Sequence, residues 1–453
     1  MCGIFGFAQR KKNSTPAEMV LSALCTLNHR GHGASGIVSV SPEGSIYEQR
    51  KLGVASRLGE RVNLEKAHGH VAFGHNRYGT FGGEGIEDAQ PLVRIIDDKP
   101  IVLVHNGEIV WLNIDGARYS VEEARKKFQA DGVVFNGTAD TELILTMIAR
   151  SQAKDPAGRI YDALSSVEGS FSLAIYWHDL VFIARDSRGM RPLWLGGNHD
   201  YLAFSSEDCA FGHLDIDPIR EVKPGEIVII DRSLGVRSVF LEEKNPAHCS
   251  FCHVYVARPD STIYGRGVME VRQEFGRVLA EEMDKSGVLN LDWTVIPVLA
   301  SGQEAATGFA EYVMAQNLRL TGQANWPLVH GLTRNQYSGR NFITAGQGQR
   351  EKDIDLKHNV VRHCVKGKHV VLIDDSLVRG TTAKLFTKRL RKAGALSVHI
   401  AIACPPVVGP CWYGIDFKET TEQRLAIRNG KSITEYVGAD SVTFLSIDGL
   451  RSC

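Results

Sequence analysis

The sequence predicts two regions of different class, an α+β region of stacked sheets covered by helices and then an α/β region built on a parallel sheet. Three observations carry this expectation. The chain has 453 residues, more than one hydrophobic core usually organises. As far as about residue 240 it is dominated by short β-rich runs separated by Gly, Asn and Asp, and after about residue 260 apolar strands alternate with amphipathic helices. Between them, EEKNPAHCSFC has no clear periodicity and places the boundary near residue 245, giving domains 2–245 and 246–453.

In the first region HVAFGHNRYGT, PIVLVHNGEIV, GSFSLAIYW, DLVFIARDS and GEIVIID read as strands. Two helical stretches interrupt them, PAEMVLSALCTLNHR and TADTELILTMIARSQ. The second opens with Thr138 or Asp140 as a capping signal. In the second region MEVRQEFGRVLAEEMDKSG carries Val271, Phe275, Val278, Leu279 and Met283 at helical spacing. It is followed by strand DWTVIPVLAS, helix EAATGFAEYVMAQ, strand HVVLIDDS, helix TTAKLFTKRLRKAG and strand LSVHIAIA. That alternation is the signature of a parallel sheet with crossover helices.

Composition narrows the function classes. Apolar residues make up 43% and charged residues 23% of the chain, so neither a disordered nor a fibrous protein is expected. Lys+Arg and Asp+Glu balance at 52 each, which removes the electrostatic case for a nucleic-acid or anionic-membrane partner. Small molecules are the expected partners. No apolar run is long enough to span a bilayer, and the charges of MCGIFGFAQRKK follow its apolar run, so a cytoplasmic protein is expected. The nine cysteines are odd in number and scattered, and read most simply as reduced thiols.

Cys2 is the first candidate for chemistry. Loss of Met1, normal before a small residue, gives Cys2 a free α-amine that titrates near neutrality and can serve as the base for its own thiol. Further along, Arg77 in GHNRYGT suits a bidentate carboxylate clamp. Asn106 and Gly107 in HNGE suit an oxyanion, through a side-chain amide and a backbone N–H, and Asp140 in TADTE suits an α-ammonium group. Together these meet the requirements for hydrolysing the side-chain amide of glutamine. The plain alternatives are a type I′ turn at Asn106-Gly107 and a helix cap at Asp140.

The second candidate is VVLIDDSLVRGTTAK, an apolar strand, an acid pair, a hydroxyl- and glycine-rich turn, and a helix. Ser376, Arg379, Gly380, Thr381 and Thr382 suit a 5-phosphate at the helix start, and Asp374 and Asp375 suit two ribose hydroxyls at the strand end. The alternative is a solvated strand end before an ordinary cap. Between Gly331 and Asn359 the chain is Gly-rich and basic. Arg334, Arg340, Arg350 and Lys357 there suit a lid closing over a departing pyrophosphate.

MCGIFGF, NHRGHGASGI, GHNRYGT, HNGE, TADTE, GSFSLAI and ARDSRGMRPL resemble, in order, the signatures of N-terminal-nucleophile (Ntn) glutamine amidotransferases. VVLIDDSLVRGTT resembles the phosphoribosyl pyrophosphate motif of type I phosphoribosyltransferases. With CSFCHVYVARPDS, RNQYSGRNFI and PPVVGPCWYGID, nearly the whole chain is similar to the amidophosphoribosyltransferase family. The resemblance implies a four-layer αββα sandwich followed by a parallel-sheet phosphoribosyltransferase domain. It also implies glutamine and phosphoribosyl pyrophosphate as substrates, phosphoribosylamine as product, and Mg²⁺ bound through the substrate at Asp374 and Asp375. Purine nucleotide feedback inhibitors and a homo-oligomer are further expectations.

Cys249 and Cys411 match two ligands of the family's 4Fe–4S cluster, which Cys252 and Cys453 would have to complete; the alternative is buried thiols. Two positions depart from the family pattern, Gly33 in RGHGASG and Ala300 in VLASG, each standing where an acid is usual. A paralogue that only senses phosphoribosyl pyrophosphate or a nucleotide is therefore the competing reading. An amidotransferase feeding an adenylating domain would carry an SGGxDS-like loop, which the sequence lacks.

Overall fold

The computed structural model describes residues 1–10, 16–79, 83, 85–334, 358–417 and 432–453. They pack as two compact units. The first comprises Met1–Cys252, Val256–Arg266 and Cys411–Asp416, and the second His253–Tyr255, Gly267–Pro410 and Phe417–Cys453.

The first unit holds two antiparallel sheets of seven strands. One runs in the order β12 (Pro218–Glu221), β10 (Trp194–Gly197), β11 (Tyr201–Ser205), β1 (Gly3–Gln9), β4 (Val71–Arg77), β2 (Ala34–Val40), β3 (Ile46–Leu52). The other runs β14 (Val236–Phe240), β13 (Glu226–Ile230), β9 (Leu180–Arg185), β8 (Val167–Trp177), β6 (Lys99–Ile114), β5 (Leu92–Ile96), with β7 (Ala117–Ser120) paired to β6. Strand alternation sorts the side chains into layers. Ile4 of β1 and Val102 and Val104 of β6 meet in a core between the sheets. Phe5 and Phe7 turn the other way, onto α1 (Pro16–Thr26), and Ile101 and Leu103 turn onto α2 (Val121–Ala130), α3 (Thr141–Arg150) and α4 (Pro156–Ser165). Helix, sheet, sheet and helices make the αββα sandwich expected from the sequence.

Helices α2 and α4 were not among the sequence expectations. VEEARKKFQA is so charged that only Val121, Ala124 and Phe128 are buried, a stripe too narrow to announce itself by hydrophobicity. Its start is nevertheless written as a Ser120–Glu123 capping box, and α4 begins with an Asp155 cap and Pro156.

The second unit is organised on four parallel strands, β15 (Thr294–Pro297), β18 (His369–Asp374), β19 (Ser397–Ile402) and β20 (Ser441–Phe444), hydrogen-bonded in that order. Helices α5 (Val268–Lys285), α6 (Gln303–Thr321) and α7 (Thr381–Ala393) fall where the helical spacing predicts them. The expected lid segment has paired ends, because β16 (Leu332–Arg334) and β17 (His358–Val360) form a two-stranded ribbon. Arg334 is exposed on β16; Arg340, Arg350 and Lys357 lie outside the described residues. Among the described residues no helix is long and apolar enough to cross a membrane.

Candidate functional site

Cys2 lies at the start of β1, next to the end of β4. Its backbone N–H donates to Asn106 Oδ1 at 3.1 Å, and its thiol accepts from the Tyr78 N–H at 3.5 Å. Asn106 is not in a turn: it stands in the middle of β6, opposite Ser172 of β8. Because Oδ1 is engaged by Cys2, the amide Nδ2 is the remaining arm, buried and without a hydrogen-bond partner. Leaving such a donor unpaired costs about 1–3 kcal/mol, which makes the position an anion-binding candidate rather than a packing residue. Gly107 follows, and a Cβ there would lie 1.9 Å from the Ser170 carbonyl oxygen, so only glycine fits against β8.

Asp140 holds this strand from the side. It occupies the N-cap position of α3 but makes no capping bond with its side chain. Its Oδ2 instead accepts the Ile109 N–H at 2.7 Å. The capping alternative fails because the carboxylate is committed to β6. Arg77 is 6% exposed and donates to the Asp88 and Gly83 carbonyls at 2.6 and 3.0 Å. Asp88 in turn accepts the N–H groups of Thr138 and Ala139 at 2.7 and 2.8 Å, tying Arg77 to the turn that carries Asp140.

Sequence reasoning missed the groups behind Cys2. Arg30 Nε donates to the Cys2 carbonyl at 2.8 Å, and Arg30 Nη1 donates to the buried Glu207. Glu207 also accepts from Arg258 N–H at 2.9 Å and Ser261 Oγ at 2.7 Å, which gives the RPDS segment a structural part behind Cys2. Arg30 stands inside the NHRG motif; nothing in the SSED sequence around Glu207 signals its burial.

Three thiols gather around Arg191 in the first unit. Arg191 Nη1 approaches Cys252 Sγ at 3.9 Å, and the Cys411 sulfur accepts the Tyr413 N–H at 3.4 Å. Hydrogen bonding from the Cys252 thiol pulls the Cys249 thiol below its ordinary range, with the Arg191 charge acting in the same direction. Cys453 belongs to the second unit, where its thiol donates to the Gly449 carbonyl at 3.1 Å. Among the described residues no group of three or more His, Cys, Asp or Glu is arranged to hold a metal ion. Cys249, Cys252 and Cys411, three of the four thiols that the resemblance singles out, thus share the first unit.

In the second unit Asp374 ends β18, and the chain passes through Asp375–Gly380 into α7. Ser301 Oγ donates to Asp374 Oδ1 at 2.9 Å, the Asp375 N–H reaches the same oxygen at 3.0 Å, and Ser376 Oγ donates to Asp375 Oδ2 at 3.0 Å. Ser301 was not foreseen as a partner, although it follows Ala300 in VLASG. Burial and then the neighbouring carboxylate push Asp374 well above the usual carboxylate range, and burial pushes Asp375 up as well. Gly380 precedes α7 at φ +75° and offers no side-chain cap, so the N–H groups of the first turn remain available to an anion. Ser376, Arg379, Thr381 and Thr382 are half-buried around that turn.

Residues 83–213 match the family described as glutamine amidotransferase domain. Amidophosphoribosyltransferase of Methanocaldococcus jannaschii is 33% identical, with 99% of this chain and 93% of that protein aligned. The chloroplastic amidophosphoribosyltransferase 1 of Arabidopsis thaliana is 36% identical over 99% of this chain and 75% of its own length. Among solved structures, the glutamine phosphoribosylpyrophosphate amidotransferase from B. subtilis complexed with ADP and GMP superposes with a TM-score of 0.84 at 33% identity, covering 99% of this chain and 91% of that one. With two units of the expected architecture and likeness along nearly its full length, the chain belongs to the amidophosphoribosyltransferase family.

Proposed function

We propose that the chain is a glutamine-dependent amidophosphoribosyltransferase that joins the ammonia of glutamine to phosphoribosyl pyrophosphate, giving phosphoribosylamine, pyrophosphate and glutamate. The observation that carries the glutamine half is the Asn106 side chain, whose Oδ1 is held by Cys2 N and whose Nδ2 is buried without a partner. Once Met1 is removed, the nitrogen bonded to Asn106 becomes the amine that takes the thiol proton. The Cys2 sulfur then attacks the side-chain carbonyl of glutamine, and Asn106 Nδ2 with the Gly107 N–H stabilises the oxyanion. Collapse releases ammonia and leaves a thioester, which water hydrolyses. Arg77 and Asp140 bind the α-carboxylate and α-ammonium groups of glutamine.

At the second site the first turn of α7, with Ser376, Arg379, Thr381 and Thr382, binds the 5-phosphate, and Asp374 and Asp375 accept the ribose hydroxyls. Their raised affinity for protons marks carboxylates that gain from a hydroxyl donor or a bound cation. Asp374 and Asp375 would hold Mg²⁺ through the bound substrate, and its charge would supply neutralisation of the leaving group. Arg334, with Arg340, Arg350 and Lys357 outside the described residues, supplies in this reading the positive charge that a departing pyrophosphate requires. The glutamine domain spans 2–245 and the sugar domain 246–453 in this reading. A cytoplasmic homo-oligomer responsive to purine nucleotides is part of the same proposal, supported by a relative solved with ADP and GMP.

The test is pyrophosphate release from phosphoribosyl pyrophosphate with glutamine and, separately, with ammonium, for the native chain and Cys2→Ala. The reading expects Cys2→Ala to abolish the glutamine reaction and spare the ammonium reaction. Absence of pyrophosphate release from the native chain with either nitrogen source overturns it, and intact-mass measurement must find Met1 missing from active protein.

A further inference from the structure

Odd-numbered residues of β6 face the helices of the first unit, and Ile101 and Leu103 pack there among apolar neighbours. His105 stands next along the same face, and around it the interior turns polar. His105, Gln90 just before β5, and Thr141 at the start of α3 are each at most 3% exposed. The His105 N–H donates to Gln90 Oε1 at 2.7 Å, which fixes the amide so that its Nε2 donates to Thr141 Oγ1 at 3.1 Å. His105 Nδ1 lies 3.1 Å from the same hydroxyl. With one lone pair taken by Gln90, the Thr141 proton is left facing His105 Nδ1 and, at 3.4 Å, Asp140 Oδ1. Burial pushes the His105 imidazole below its ordinary range, so the ring adds no cation beside Asp140 near pH 7. A Cβ on Gly107 would stand 2.7 Å from His105 Nε2, so the ring also lies against the glycine of the HNGE motif.

We infer that Thr141 is a positioning residue for glutamine, its hydroxyl bracing Asp140 so that Oδ1 stands where the α-ammonium group binds. The inference rests on the proposed glutamine reaction and deepens it. Asp140 Oδ2 accepts the Ile109 N–H at 2.7 Å, and a carboxylate held at one oxygen turns readily about its last torsion. The Thr141 hydroxyl at Oδ1 supplies the second point that fixes the carboxylate plane. Gln90 and His105 fix that hydroxyl in turn. Buried polar side chains are costly unless they are paired, and these three are paired around the one hydroxyl that reaches Asp140. An apolar side chain at position 141 would fill the same space without that cost, and what it would lack is the contact with Asp140. The consequence is selectivity: a molecule with an α-ammonium group gains from a fixed Oδ1, and one without it does not.

The experiment uses the full chain with Thr141→Val, Thr141→Ser, Thr141→Ala and Asp140→Asn. It measures kcat and KM for glutamine, inhibition by glutaramate, which is glutamine without its α-ammonium group, and pyrophosphate release with ammonium. Thr141→Val is expected to raise KM for glutamine by about fivefold to tenfold with kcat within about twofold, the pattern of binding lost equally from ground state and transition state. The inhibition constant of glutaramate is expected to stay within about twofold, because that molecule has no group for Asp140 to hold. A merely structural role would move both constants together. Thr141→Ser keeps the hydroxyl and is expected to restore most of the affinity for glutamine. Asp140→Asn, the reference for a lost ammonium acceptor, is expected to raise KM at least as far as Thr141→Val. The ammonium reaction is expected to persist in the Thr141 variants and reports that each is folded. An unchanged KM in Thr141→Val, KM and the glutaramate constant raised alike, or Thr141→Ser as impaired as Thr141→Val overturns the inference while leaving the two-site reading intact. Should Thr141→Val lose the ammonium reaction as well, Thr141→Ala decides by the same two constants. Asp140→Asn with the native KM overturns the ammonium assignment and the inference with it. A native chain that releases no glutamate from glutamine overturns the underlying reading first.

Discussion

Arg30 and Glu207 form an ion pair with both side chains fully buried, and the same guanidinium reaches the carbonyl of Cys2 at 2.8 Å. Burial alone drives the Glu207 carboxyl upward, but His29 and Arg30, with the Arg258 N–H, hold it far below the ordinary range. The pair therefore connects the Cys2 backbone to a carboxylate held in its charged form.

Glu207→Gln should cost roughly 3–5 kcal/mol, because it leaves Arg30 buried without its counter-charge. The sign with pH follows from the depressed value: Glu207 contributes stability above the ordinary glutamate pKa, and that contribution is lost as pH falls. Urea unfolding at pH 7 and pH 4 checks both points. The native protein should lose more stability on acidification than the variant does. A variant as stable as native at pH 7 would show that the pair contributes little.

Asn106→Ala should lower kcat for glutamine by about 10²–10³-fold, the usual cost of one missing oxyanion donor, with ammonium-supported pyrophosphate release unchanged. Stability should change less than for an ordinary buried amide. The variant also removes an unpaired Nδ2 that the native fold keeps buried. Steady-state kinetics beside a urea titration separate the two effects, and equal losses of glutamine- and ammonium-driven rates would remove Asn106 from the oxyanion role.

Much of this candidate site was legible because the chemistry proposed for it requires particular residues in contiguous motifs. Only glycine fits Gly107 against the Ser170 carbonyl, and Asp374 must stand at a strand end before an uncapped helix. What could not be read were partners whose residue types have many uses. A glutamate in SSED becomes the anchor behind Cys2 only because β11 and the RPDS segment meet there. Ser301 reaches Asp374 across 73 positions of sequence, and no local pattern records that separation. The fold shows the same division. Long apolar strands announced themselves, whereas α2 and α4 bury too little apolar surface for periodicity to reveal and were marked only by their caps. Cysteine spacing is equally silent about neighbours: nothing in the sequence records that Arg191 approaches the Cys252 sulfur.

Asp374→Asn should abolish use of phosphoribosyl pyrophosphate, by ~100-fold or more with either nitrogen source, since the ribose hydroxyls lose an ionised acceptor. It should at the same time stabilise the second unit. The raised pKa of Asp374, caused by burial and then by Asp375, means that its charged form opposes folding. That opposition grows as pH rises above the ordinary aspartate value, so the stabilising effect of asparagine should be larger at pH 8 than at pH 4. Urea unfolding midpoints at the two pH values provide the measurement. A destabilised Asp374→Asn at pH 8 would mean that the bonds from Ser301 Oγ and the Asp375 N–H outweigh the cost of burying the charge.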